Sequence, residues 1–163
     1  MRFFLFLPLL AVGCGPAPTV VEGTVSGSSI GTAGTAFWGG RYLIFVDKVL
    51  DCVDVSFVNH TYSEGADFGD ENFSALQFTY SRGTDVFPGN FSVQGAAEVT
   101  AKFLDYRDGV FDADDETRGR EGTLFVDEVK DKESATGEFD IDFGDDQFLT
   151  GTFAAEWCIN LPD

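Results

Sequence analysis

The chain has 163 residues, 44% of them hydrophobic, with 28 Asp and Glu against 10 Lys and Arg, for a formal net charge of −18. That is the size of one domain, with apolar material enough to bury a core. A surface this negative repels polyanions, which argues against nucleic acid as a partner.

The chain opens with Arg2 and an apolar run, Phe3 to Val12. The run is too short for a membrane-spanning helix, which takes about 20 residues. A basic start, a short apolar stretch and then small residues, here Ala11 and Gly13, is the order of a secretory signal. Residues 1–13 therefore read as a signal peptide. The next residue is Cys14, and Ala11-Val12-Gly13-Cys14 resembles the lipobox of bacterial lipoproteins, with Ala11 where leucine is most common. The resemblance implies that the Cys14 thiol receives a diacylglyceryl group and becomes the mature N-terminus, anchored to a membrane of the cell envelope. Gly15 is not the aspartate that retains some lipoproteins at the inner membrane, so the resemblance favours the outer membrane. The competing reading is an ordinary signal peptide cut near Gly13 or Pro16. Residues 14–19 form a short proline-containing tether, about 15 to 20 Å long if extended, and residues 20–163 form the domain.

Three cysteines in an exported chain leave one unpaired unless Cys14 is acylated. Acylation leaves Cys52 and Cys158 to bridge in an oxidising compartment. A zinc site is the rival reading, and it needs more ligands than these two and the only histidine, His60, supply.

From Val20 onward, short runs rich in Val, Phe, Thr and Tyr are separated by glycine and aspartate turns. "VVEGTVSGSSI" and "RYLIFVDKV" read as strands. "VLDCVDVSFVN" fits either a strand or a short helical turn carrying Cys52, because a short apolar run does not separate the two by period. "FSALQFTYS" and the shorter "GNFSVQG" follow as strands. In "AAEVTAKFLDY", Ala97, Val99, Ala101 and Phe103 share one face and Glu98, Thr100 and Lys102 the other. "GTLFVDEV" begins a terminal meander. In "GEFDIDFGDD", Phe139, Ile141 and Phe143 oppose Glu138, Asp140 and Asp142, and the turn at Gly144 to Asp146 leads into "QFLTGTFAAEWC", which puts Leu149, Phe153, Ala155 and Trp157 together. The expected fold is all-β: a single antiparallel β-sandwich or β-barrel of about seven or eight strands. Gly151, Phe153, Ala155 and Cys158 give the last strand a G-x-F-x-A-x-x-C pattern. It resembles a loose set of exported bacterial lipoproteins, a likeness that implies no activity.

Candidate chemistry is sparse. "GSSIG", residues 27–31, matches the G-x-S-x-G pattern around Ser29, but a nucleophile elbow needs a helix after the turn, and the glycine-rich "GTAGTAFWGG" follows. "DGVFDADDE" gathers Asp108, Asp112, Asp114, Asp115 and Glu116, hard oxygen ligands suited to Ca²⁺, without the glycine position and flanking helices of an EF-hand. A second acidic loop holds Asp67, Asp70 and Glu71. The Glu138, Asp140 and Asp142 row, with alternate residues about 6.8 Å apart, needs counter-charges, for which Lys102 and Lys130 are the candidates. Most of the phenylalanines are expected in the core.

The reading that follows is a lipid-anchored envelope protein, a non-enzymatic recognition or structural module with no cofactor unless the acidic loop binds calcium. The alternatives are a small hydrolase using acidic residues and a barrel enclosing a small apolar ligand.

Overall fold

A computed structural model of the chain describes residues 18–59, 72–81, 85–93, 98–107, 110–111 and 116–161. The fold is all-β, as expected. Twelve strands and one helix make up the described residues: β1 (Val20–Thr24), β2 (Gly31–Thr32), β3 (Thr35–Gly39), β4 (Tyr42–Val46), α1 (Cys52–Asn59), β5 (Phe73–Tyr80), β6 (Gly89–Ser92), β7 (Val99–Arg107), β8 (Val110–Phe111), β9 (Thr117–Arg118), β10 (Glu121–Lys130), β11 (Ser134–Gly144) and β12 (Gln147–Trp157). They form one mixed sheet in the order β6-β10-β11-β12-β3-β4-β5-β7-β8, with β1 and β2 beside β12 and β9 beside β7. The sheet curls into a half-barrel.

Strands β7, β11 and β12 follow the alternation read from the sequence. Val99, Ala101 and Phe103 on β7, Phe139, Ile141 and Phe143 on β11, and Leu149, Phe153 and Ala155 on β12 all point into the curl. A bulge between Val126 and Glu128 shifts the alternation of β10 by one residue, so that Leu124, Val126 and then Val129 all meet the core.

The strand count exceeds seven or eight because β2, β8 and β9 are two-residue pairings, too short to leave a period in the sequence, and because β3 lies inside the glycine-rich run "GTAGTAFWGG". The sheet is also not wholly antiparallel, since β12 pairs with β3 in parallel. The hairpin explains why. Strand β1 is antiparallel to β12, and the chain reverses through Ser26 and Gly27, both at positive φ, into β2. Continuing in that direction, β3 meets the last residues of β12 running the same way.

Glycine shapes the interior of the curl. Phe139 faces Gly151 across β11 and β12, and Phe153 faces Gly137 in the same strand pair. Each ring covers the glycine opposite. A Cβ on Gly151 would stand 2.1 Å from the Val20 carbonyl oxygen, and one on Gly137 2.0 Å from that of Phe125 and 2.7 Å from the Phe153 ring. In the space so left, Phe45 packs 5.7 Å from Phe139 and 5.3 Å from Phe153, and Phe78 lies 5.4 Å from Phe139. Gly151 and Phe153 of the last strand's pattern are thus packing partners of β11.

A second core lies on the outer side of β4, β5 and β7. Every residue of β4 is buried: Leu43 and Phe45 face the curl, while Tyr42, Ile44 and Val46 face outward beneath α1. The ambiguous segment is helical. Asp51 caps it, its Oδ1 accepting from the N–H groups of Val53 (2.8 Å) and Asp54 (2.9 Å). Val55 and Val58 are fully buried against β4 and its neighbours, each contributing about 1.5–3 kcal/mol. Cys52, at the first turn of α1, is bridged to Cys158, just past β12, with Cα atoms 5.4 Å apart.

Gly151→Ala should cost about 1–3 kcal/mol through overpacking against backbone. Urea unfolding should show a lower midpoint at unchanged slope, while Thr152→Ala on the outward face should stay within about 0.5 kcal/mol of the parent chain.

Candidate functional site

The outward side of β1, β6, β10, β11 and β12 carries an open groove of about 720 Å³. Strand register builds it in two rungs. Ser92, Thr123, Asp140, Thr150 and Glu22 are successive cross-strand neighbours, and Asn90, Phe125, Glu138, Thr152 and Val20 form the next rung. Because side chains alternate along each strand, both rungs project away from the core. The same paired strands whose inner faces hold Leu124, Phe139, Ile141 and Leu149 in the core therefore present these side chains on a fixed backbone. A second hollow of about 390 Å³ adjoins the groove and shares Phe125 and Glu138.

Phe125 stands where the two hollows meet, 39% exposed between the buried Leu124 and Val126. Glu138 and Asp140 lie two residues apart on β11, about 6.8 Å along the strand, and Glu22 is two strand spacings from Asp140, about 9.6 Å. The proposed counter-charges go elsewhere. Lys102 pairs with Glu116 (2.8 Å) and Lys130 with Glu128 on its own strand (3.2 Å), because those carboxylates are nearer in the folded chain. The groove thus joins a phenyl ring, three carboxylates and a set of threonine and asparagine side chains, a chemistry that suits hydrogen-bond donors and cations.

Of the candidate calcium ligands, Asp108, Asp112, Asp114 and Asp115 lie outside the described residues, as do Cys14, His60 and the second acidic loop at residues 67–71. Glu116 is described. Its two carboxylate oxygens accept from Lys102 Nζ (2.8 Å) and Arg118 Nε (2.6 Å). Burial by itself would raise its pKa, but the two cations outweigh that and hold it below the ordinary carboxylate value. The pair fastens β9 to β7, where Lys102 lies opposite Arg118. Among the described residues, no three His, Cys, Asp or Glu side chains gather to hold a metal ion.

Ser29 is exposed after the β1–β2 turn, with strand β2 after it where an elbow has a helix. Its neighbour Ser28 takes part in a polar latch. Ser28 Oγ donates to Asp105 Oδ2 (3.2 Å) and accepts from Arg107 (2.7 Å), Ser74 Oγ donates to Asp105 Oδ1 (3.0 Å), and the Ser26 N–H donates to Gln147 Oε1 (3.0 Å). The hairpin tip so bridges β12 and β7. Asp47, raised above its ordinary pKa mainly by burial and further by the charge of Asp105, accepts from the Ser74 N–H (3.0 Å) at the edge of this latch. Two tyrosines are also shifted by burial. Tyr106 is pushed up to about 12 and donates to the Val58 carbonyl at 3.4 Å. Tyr80 is raised too, and its buried hydroxyl and the buried Trp38 Nε1 have no hydrogen-bond partner among the described residues.

No family model matches the chain, and neither a curated protein nor a solved structure matches it.

The groove was legible only in part. Glu138 and Asp140 announce themselves as a polar row, but Glu22 and Asn90 arrive from distant strands through register. Phe125 had one available signal: it is the middle of three consecutive apolar residues in a strand with a wet face, so it had to point outward.

Because the folded-state pKa of Glu116 is depressed, its ion pairs stabilise the fold above the ordinary value of 4.5, and that contribution is lost as pH falls through the folded-state value. Glu116→Gln should lower the melting temperature at pH 7 by about 1–3 °C, the worth of a partly exposed pair. In melts repeated at decreasing pH, the gap to the parent chain should close below 4.5.

Proposed function

We propose that this chain is an exported bacterial lipoprotein, held to the envelope by acylated Cys14, that acts by non-catalytic recognition through the outward groove. The observation that carries the anchor is the disulfide. Cys52 and Cys158 are consumed by each other, which leaves Cys14 as the one thiol of three with no bridge to make and fits an oxidising compartment. Two or more acyl chains hold a protein far more firmly than one, so the mature product stays on the membrane until it is cut.

The recognition reading rests on where the groove sits. Its side chains stand on hydrogen-bonded strands backed by a packed core, an arrangement that presents a binding surface without rearrangement. Glu138 and Asp140 beside Phe125, with Glu22 at the far side of the groove, favour a ligand with amino or guanidino groups beside an apolar segment, and the overall charge of −18 speeds the approach of such a ligand and turns anions away.

Two measurements test this function. Mass spectrometry of the mature envelope protein should find Cys14 at the N-terminus carrying diacylglycerol, and Cys14→Ser should move the protein out of the membrane fraction. Titration with a Lys-Phe-Lys peptide should shift the amide resonances of Thr123, Phe125, Glu138 and Thr150, weakly in Glu138→Gln/Asp140→Asn and not at all with Gln-Phe-Gln. An unmodified N-terminus would refute the anchor, and equal response to both peptides would refute the groove.

A further inference from the structure

Helix α1 is apolar on two sides, and one of them meets protein. Val55 and Val58 turn into the second core, whereas Val53 and Phe57, four residues apart and so on one face, are 50% and 40% exposed. Val49, just before the helix, is 80% exposed, and Ile159, just after the bridged Cys158, is 71% exposed. Four large apolar side chains thus stand in solvent within a few residues of one disulfide. Single exposed apolar residues need no explanation, but four within five residues of one bridge, two of them on one helix face, call for one.

The route of the chain into the domain indicates what covers them. Pro18 and Thr19 line a hollow of about 320 Å³ together with Val49 and Leu50, so the tether enters the domain beside the patch. Three residues, Gly15 to Ala17, separate Cys14 from Pro18, and four residue steps span at most about 14 Å. A bilayer holding the acyl chains of Cys14 therefore lies within about 14 Å of the side that carries Val49.

We infer that Val49, Val53, Phe57 and Ile159 rest on the surface of the bilayer in which Cys14 is anchored, a contact that depends on the lipid anchor proposed above. The apolar side chains enter the boundary between headgroups and acyl chains, as the apolar face of an interfacial helix does. Four side chains are few for a free protein, but the tether keeps them at high effective concentration. With a chain charge of −18, the contact is apolar in origin, suits zwitterionic headgroups and is opposed by anionic ones.

The test uses the lipidated full chain in phosphatidylcholine vesicles whose acyl chains are brominated near the headgroup, with Phe57→Trp compared against Phe148→Trp. Phe148 is 52% exposed on β12 and serves as the exposed control. Once the emission of Trp38 and Trp157 in the parent chain is subtracted, bromine should quench the tryptophan at 57 at least about twofold more than that at 148, unchanged in high salt and weakened when phosphatidylglycerol replaces phosphatidylcholine. Equal quenching at both positions in protein that floats with the vesicles would overturn the inference and leave the anchor standing. A chain that fails to float would overturn the anchor and this contact with it. Loss of quenching accompanied by a dimer on sizing would assign the patch to a second copy of the chain and also overturn the inference.

Discussion

The bridge between Cys52 and Cys158 is the constraint on which α1 and the second core depend. Helix α1 has eight residues, too few to be stable alone, and it lies on a sheet whose outer face would otherwise leave Tyr42, Ile44, Val46 and Leu104 in water. Fixing its first turn to the end of the last strand joins segments 106 residues apart. Closing a loop of that order is worth up to about 4.7 kcal/mol in the chain-entropy view, comparable to the net stability of many domains. The bridge thus holds the second core in place, and it also settles which cysteines are spoken for.

The inner core meets a different demand. A sheet must curl to enclose side chains, and here large rings are admitted by removing side chains opposite them. Phe139 over Gly151 and Phe153 over Gly137 bring Phe45 and Phe78 into contact with the same cluster, so rings from four strands pack together inside the half-barrel. The outward face of the same strands is then free to carry polar chemistry on a rigid support. The packed core and the polar groove are thereby separated by the two-residue alternation of β10, β11 and β12.

How much of this could be read from the sequence depends on the burial of each strand. β7, β11 and β12 have a wet side along most of their length, and their alternation gave their faces correctly. β4 is buried on both sides, so its YLIFV run has no alternation, and the second core beneath it left no pattern to find. α1 escaped assignment for a related reason: with Val55 and Val58 inward and Val53 and Phe57 outward, its apolar residues do not collect on one face. The disulfide, by contrast, followed from counting cysteines. Lys102 and Lys130 were misassigned as partners of the β11 row because the competing carboxylates, Glu116 and Glu128, are selected by tertiary proximity in one case and by a neighbour on the same strand in the other.

Hydrogen exchange with and without reduction tests the central constraint most directly. After mild reduction and alkylation of Cys52 and Cys158, the amides of residues 52–59 should lose protection first, followed by the outer margin of β4, while β10, β11 and β12 keep theirs. Unchanged protection across α1 in the reduced protein would contradict the account, because the helix would then be held by packing alone.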